Sequence, residues 1–276
     1  MNDFLLPSTT QVSAIESSEV DYMTDRMLAI QSRPGNPEGI EIRNFGNAVA
    51  FTSKTMPWPA FNTVKGLTDA NIEQLEEILV FYREKEAKIQ LEIVPSRVGP
   101  DFLRKMSELG LYQSGFHCSL AITPEQRLRI ASEQRLDVDR IVIRKLEADE
   151  FELYATLHCR GTGLPDNGIP HVKSNNEVLH GREGWSFFVA ELDGVPAATA
   201  VLFEKDGLAS LTFAATLPEF RRQGLQRRLL EHRLTEAFSR ANKLAVSQCA
   251  FLSQSHRNME QIGMKLGYMR TAWTAS

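Results

Sequence analysis

The chain is poor in cysteine. Three cysteines in 276 residues, at positions 118, 159 and 249, form no CxxC pair. That number and spacing supply neither a disulfide framework nor a zinc site, and they point to a reducing compartment. An excess of positive charge is also missing. Lys+Arg total 31 against 35 Asp+Glu, a formal net charge of -4. That balance argues against a general nucleic-acid binder. Met1-Asn2-Asp3-Phe4 carries no basic segment leading into an apolar core, so this start does not read as a signal peptide. No apolar run approaches the roughly 20 residues of a membrane span, so no membrane partner is expected. The expected location is the cytoplasm. What remains is ordinary for a soluble chain with real cores: 42% hydrophobic and 24% charged residues. The length fits about two domains.

One stretch organises the rest. An apolar run, Leu208-Ala209-Ser210-Leu211-Thr212-Phe213-Ala214-Ala215, leads into Pro218-Glu219-Phe220-Arg221-Arg222-Gln223-Gly224-Leu225-Gln226-Arg227-Arg228, and a helical pattern continues to about residue 241. A strand, a tight basic turn with a glycine and then a helix make a way to hold a phosphate. The first helical N–H groups lack intrahelical partners, and the helix dipole adds positive potential there. Gly224 leaves that approach open, and the neighbouring arginines add cationic donors. The pattern reads as a pocket for a pyrophosphate-bearing cofactor. Arg227, Arg228 and Arg233 have a second reading, as a solvated helix face.

In the first half, residues 1–16 read as a polar arm and 19–31 as a helix. Two short strand patterns follow within 40–52 around a turn at 44–47, and 61–67 reads as a third strand. Thr68 or Asp69 caps a helix whose Ile72, Leu75, Ile78, Leu79 and Tyr82 share one face. Residues 89–94 alternate as a strand. A second helix spans 99–109 and ends at Gly110. Residues 111–122 read as a strand pair broken near Ser114-Gly115. Trp58 and Phe61 are read as packing against the sheet, with the lining of a pocket as the alternative. No Gly-rich phosphate turn precedes the 72–85 helix. The polar, charged segment 124–139 contains the expected boundary, giving a first domain over 1–130, a linker over 131–139 and a second domain over 140–276.

In the second half, a strand at 140–144 and a helix at 147–158 precede a glycine-bearing loop at 160–168 and a second helix at 171–179. Strands at 185–192 and 195–203 flank an Asp193-Gly194 hairpin turn. The 208–216 strand, the phosphate turn and the long helix follow. A buried strand at 244–250, a short helix at 255–262 and a closing strand at 268–275 end the chain.

This order of elements, with Pro218-Glu219-Phe220-Arg221-Arg222-Gln223-Gly224-Leu225-Gln226 at its centre, resembles the GNAT superfamily of N-acetyltransferases. Gln226 stands where the family motif has Gly or Ala. Ser255-His256-Arg257-Asn258-Met259-Glu260-Gln261-Ile262-Gly263-Met264, followed by Tyr268, resembles the family's last helix and its Gly-aromatic ending. The resemblance covers about 140–276. The first half has the same closing order of elements and looks like a degenerate copy, as in tandem proteins of this type. The implied fold class is α+β (α/β mixed): two GNAT-like domains, each a mostly antiparallel mixed sheet flanked by helices. The second would carry a splayed strand pair for acyl-CoA.

The resemblance implies acetyl-CoA as co-substrate, no metal, and direct attack by an amine acceptor. The pyrophosphate would meet Arg221, Arg222, Gln223, Gly224, Leu225, Gln226 and Arg227. The backbone near Phe213, Ala214 and Ala215 would polarise the thioester carbonyl, and Asn258 would hydrogen-bond the cofactor or its thiol. Neither register of the last helix supplies the family's usual tyrosine acid, and the 208–216 strand lacks its frequent glutamate base. Tyr268, Glu191 and Asn258 are the catalytic candidates, with Asp166 or a water chain as alternatives for the base. His158, His171, His180 and Cys249 read as core or surface residues. An acetyl-CoA-binding sensor without catalysis is the alternative function, and a homodimer is compatible with both.

Overall fold

A computed structural model gives the structure of residues 6–56, 58–131 and 140–275. The expected linker therefore lies, apart from Ala131, outside the described residues. In chain order the elements are α1 (Thr9–Gln31), β1 (Glu41–Phe45), β2 (Ala48–Thr52), β3 (Thr63–Lys65), α2 (Leu75–Glu84), β4 (Gln90–Ile93), α3 (Pro100–Glu108), β5 (Leu111–Ile122) and α4 (Pro124–Ala131). Then come β6 (Ile141–Lys145), α5 (Phe151–Thr162), α6 (Ile169–Glu177), β7 (Trp185–Leu192), β8 (Val195–Lys205), β9 (Leu208–Thr216), α7 (Leu225–Ser239), β10 (Leu244–Cys249), α8 (Gln254–Gln261) and β11 (Lys265–Ala275). The class is mixed α/β. The chain divides into two compact units, Met1–Ser119 with Leu266–Ser276, and Leu120–Lys265.

In the first unit β1 and β2 form a hairpin, β2 pairs antiparallel with β3, and β3 pairs parallel with β4. The next partner of β4 is β11, antiparallel, with Thr271 opposite Ile93 and Trp273 opposite Leu91. The closing strand, expected to complete a domain over 140–276, thus groups with the first unit. The physical reason lies in β4: Leu91 and Ile93 are buried, and its edge needs a hydrogen-bonded neighbour. Trp273 packs against the same core as Phe45, Tyr82 and Phe102.

Two further expectations fail locally. Helix α1 starts at Thr9, inside the expected polar arm, because Ser8 and Gln11 form a capping box: the Gln11 N–H donates to Ser8 Oγ at 3.2 Å and the Ser8 N–H to Gln11 Oε1 at 2.9 Å. Strand β5 runs unbroken over 12 residues. Gly115 has no positive φ, so its backbone stays extended and no turn forms.

A network of buried charges crosses the first unit. Glu19 meets Arg270, Arg270 Nε lies 3.3 Å from Glu92, Glu92 pairs with Lys65, and Arg97 Nε lies 3.2 Å from Glu16. Buried charges survive only when paired in this way. Burial works against the Glu92 carboxylate, but Arg270 and Lys65 outweigh it and hold its pKa down at about 2. Glu16 goes the other way. Burial outweighs Arg97 and lifts its pKa to about 7.

In the second unit the strand order is β10-β9-β8-β7-β6. Strands β6 to β9 are antiparallel, and β9 and β10 are parallel. Strand β8 is buried at every position from 197 to 203, so both faces of this sheet are covered. Helices α5 and α7 both pack on β8 and β9. Helix α5 runs to Thr162, three residues into the segment expected to be a loop, and Gly161 makes that possible. A Cβ there would lie 2.9 Å from Ala215 Cβ and 3.0 Å from Thr216 N, so only glycine lets α5 come this close to β9.

Candidate functional site

The site is built where β9 and β10 part. Their register runs from Leu208–Leu244 to Leu211–Ser247 and stops. At the last rung the Ser247 hydroxyl donates to the Leu211 carbonyl at 2.8 Å. Just beyond it β9 bulges. Thr199 pairs with Ala215 and Val201 with Thr212, so Phe213 and Ala214 together face the single residue Ala200. Phe213 takes φ +46°, a left-handed conformation unusual for a side chain of this size. The bulge turns β9 away from β10 and opens a cleft of about 240 Å³.

A buried arginine holds the bulge. Arg233 on α7 is 1% exposed. Its Nε donates to the Leu229 carbonyl at 3.1 Å, and its Nη1 to the carbonyls of Val201 at 2.9 Å and Thr212 at 3.3 Å. Val201 and Thr212 are the pair next to the bulge, so the guanidinium takes up carbonyls at the distorted end of the ladder. Among the described residues it has no carboxylate partner, and burial pushes its pKa down. Arg233 also lines the cleft. As a helical arginine it was open to reading as part of a solvated face, and the structure overturns that reading.

The basic turn follows the β9 strand. Gly224 is the N-cap of α7 at φ +86°, with no side-chain cap. The first backbone bond into the helix is from Arg228 N–H to the Gly224 carbonyl, which leaves the N–H groups of Leu225, Gln226 and Arg227 without intrahelical partners. The arginines of this turn divide in role. Arg221 is occupied. Its N–H donates to Pro218, and its Nη2 donates to the Gly161 carbonyl at 2.9 Å, clipping the end of α5. Arg227 pairs with Glu231 at 3.1 Å, and Arg228 Nη1 lies 3.9 Å from the same carboxylate. Arg222 is exposed, with φ +62° and no ion pair among the described residues.

The far wall is α8. Gln226, at the second position of α7, donates through Nε2 to Ser255 Oγ at 2.7 Å and accepts from Asn258 Nδ2 at 2.6 Å. The residue that breaks the sequence motif therefore joins the two helices. Gln226, Ser255 and Met259 line the cleft with Phe213 and Ala214.

The catalytic candidates fare differently. Asn258 lies on α8 and donates to Gln226, but it is not itself among the residues lining the cleft. Glu191 is bound by Arg144 at 2.8 Å, and Arg144 also grips Glu150 at 2.6 and 2.8 Å. Glu191 is not among the residues lining the cleft. Tyr268 lies on β11 in the first unit, 8% exposed, and burial drives its phenol pKa well above the usual range. Asp166 is exposed and held by Arg160 at 2.9 Å. His180 packs edge-on to Phe151, and Cys249 is buried on β10. His158, expected to be core or surface, lines the cleft, stacked 5.8 Å from Tyr154. Its place four residues before Thr162 on an inward-facing helix was the only sequence signal for it. Among the described residues no group of three His, Cys, Asp or Glu is arranged to hold a metal, and no helix is long and apolar enough to cross a membrane.

A splayed parallel strand pair, a bulge beside it and an uncapped helix start thus meet in one α/β unit. Residues 148–263, within the second unit, match the model of the acetyltransferase (GNAT) family. No curated protein matches the chain. Solved structures share its fold over nearly the full length. A GCN5-related N-acetyltransferase from Kribbella flavida has TM-score 0.67 at 16% identity, covering 95% of this chain and 94% of that one. One from Sphaerobacter thermophilus has TM-score 0.60 at 13% identity, covering 98% and 93%. A tandem GNAT protein from the clavulanic acid biosynthesis pathway has TM-score 0.61 at 14% identity, covering 98% and 97%. At these identities the likeness establishes the fold.

Proposed function

We propose that the protein is an N-acetyltransferase that binds acetyl-CoA in the cleft of the second unit and passes its acetyl group to an amine. The observation that carries this reading is the coincidence of three features in one place: the parting of β9 from β10, the Phe213 bulge and the open N–H groups of α7. The N–H groups of Leu225, Gln226 and Arg227 would receive the pyrophosphate, with the exposed Arg222 as a counter-charge. The unpaired edge of β9 would receive the amide-bearing arm. Backbone donors at 213–215 would face the thioester oxygen as it gains charge. Acetyl-CoA supplies an activated acyl group, and the chain's task is to align it with a neutral amine. His158 is the one side chain lining the cleft whose type exchanges protons near neutral pH, which suits it to receive the amine's proton directly or through water.

A second reading is a non-catalytic acetyl-CoA-binding protein. It is favoured by the fates of Glu191 and Tyr268, one held in an ion pair and the other in the first unit. In both readings the first unit is a degenerate copy of the domain with no phosphate turn, and acetyl-CoA binds once per chain. Calorimetric titration with acetyl-CoA, followed by a thiol-release assay over a panel of small amines and peptide N-termini, separates the alternatives. Binding with turnover supports the transferase, binding without turnover on any amine supports the sensor, and no binding refutes both.

A further inference from the structure

The motif position held by Gln226 is where the resemblance to the family is weakest, and it carries the most specific hydrogen bonding in the cleft. Four side chains form a directed chain. Gln254 Nε2 donates to Asn258 Oδ1 at 2.9 Å, Asn258 Nδ2 donates to Gln226 Oε1 at 2.6 Å, and Gln226 Nε2 donates to Ser255 Oγ at 2.7 Å. Asn258 and Gln226 each accept through the amide oxygen from one neighbour and donate through the nitrogen to the next, so the chain runs from Gln254 to Ser255. At its end Ser255 Oγ is an acceptor. A hydroxyl that accepts still has its own proton to give. Among the described residues nothing receives that proton, and Ser255 lines the cleft. Linked hydrogen bonds polarise one another, so the last donor is strengthened by those behind it.

We infer that Gln226 is a positioning residue for the cofactor: through this relay it turns the Ser255 hydroxyl proton into the cleft, where it donates to a carbonyl oxygen of the acyl-CoA arm. The inference rests on the acetyl-CoA reading above. It assigns Gln226 a role that glycine or alanine at the same position cannot have, because neither reaches α8. It also explains why a long side chain is tolerated beside the phosphate-facing N–H groups. Its amide is drawn sideways onto Ser255 and Asn258, off the helix axis.

The test is a double-mutant cycle read by calorimetric titration of the full chain with acetyl-CoA. Ser255→Ala removes the donor, and Gln226→Met keeps the length of the side chain while removing both amide bonds. Each is expected to weaken binding by about fivefold, the worth of one hydrogen bond. The double variant is expected to bind no worse than Ser255→Ala alone, since Gln226 acts through Ser255. Gln226→Glu is the directional control. A carboxylate accepts from Ser255 and pulls the proton out of the cleft, and it adds negative charge near the phosphates, so this variant should lose at least as much affinity as Gln226→Met. A purely structural bridge between α7 and α8 would instead lower Tm in both variants and leave Ser255→Ala neutral in acetyl-CoA affinity. Additive losses, a neutral Ser255→Ala or an unaffected Gln226→Glu each overturn the relay while the acetyl-CoA reading stands. A wild-type chain without affinity for acetyl-CoA overturns both.

Discussion

Placing a carboxylate at the start of α7 separates the fold of the second unit from its ligand chemistry. Gly224 sits at φ +86°, and a Cβ there would meet only Ile141 Cδ1, at an ordinary 3.8 Å. Gly224→Glu therefore costs backbone strain of about 1–2 kcal/mol without a clash. A carboxylate at a helix N-terminus returns about 0.3–1 kcal/mol. The net loss is about 1 kcal/mol, a fall in Tm of about 2–4 °C for a domain of this order of size. Binding is hit harder. A carboxylate about 4 Å from a phosphate repels it by about 4 kcal/mol at an effective dielectric of about 20. Screening at an exposed turn reduces this, but a loss of at least about a hundredfold remains. Gly224→Ala is the control. It carries the strain without the charge, and acetyl-CoA affinity should stay within about tenfold of wild type. Calorimetry gives both dissociation constants, and circular dichroism melts give both Tm values. If Gly224→Glu binds acetyl-CoA like wild type, or if the alanine variant fails equally, the phosphate assignment at α7 is wrong.

Arg233→Met should strip the Val201 and Thr212 carbonyls of their partner and cost about 1–3 kcal/mol, with acetyl-CoA binding lowered as the bulge relaxes. Urea unfolding and titration check this, and Arg233→Lys, which lacks the fork, should not restore binding. His158→Gln should leave the acetyl-CoA dissociation constant unchanged while lowering kcat by about 10²-fold and flattening the acidic limb of the pH–rate profile. An unaltered profile removes His158 from proton transfer. For the first unit, Glu16 binds its proton more tightly folded, at about 7, than its ordinary 4.5. The folded state then holds more protons than the unfolded one between those values, so stability falls as pH rises from about 4.5 to 7, by up to about 3 kcal/mol. Glu16→Gln should flatten that part of the curve in urea melts at graded pH.

Much of the second unit was legible in order of residues alone, because its signals are local. The Asp193-Gly194 turn, the apolar run before Pro218 and the positive-φ glycine at the start of α7 each act over a few residues. The start of α1 was equally local, but Ser8 and Gln11 lie within a polar stretch where their pairing has no apolar pattern to mark it. The rest depended on distance. No property of residues 265–275 names β4 as their neighbour, since a strand pattern states what it needs and not where it finds it. Arg233 was hidden by its type. A helical arginine reads as solvated, and only the bulge in β9 creates carbonyls for it to meet. Gln226 looked like a defect because the motif prizes a small residue there, while its partners Ser255 and Asn258 arrive 29 and 32 positions later.

The grouping of β11 with the first unit has a consequence for synthesis. A ribosome delivers α1 to β4 first, yet the neighbour that covers the edge of β4 follows only after the whole second unit has been translated. At about 5–20 residues per second, the intervening unit imposes a wait on the order of ten seconds or more. Until then the nascent first unit presents an open strand edge, the feature most prone to pairing with another chain. The first unit is begun before the second and finished after it, and a truncation at residue 119 would release it in that unfinished form.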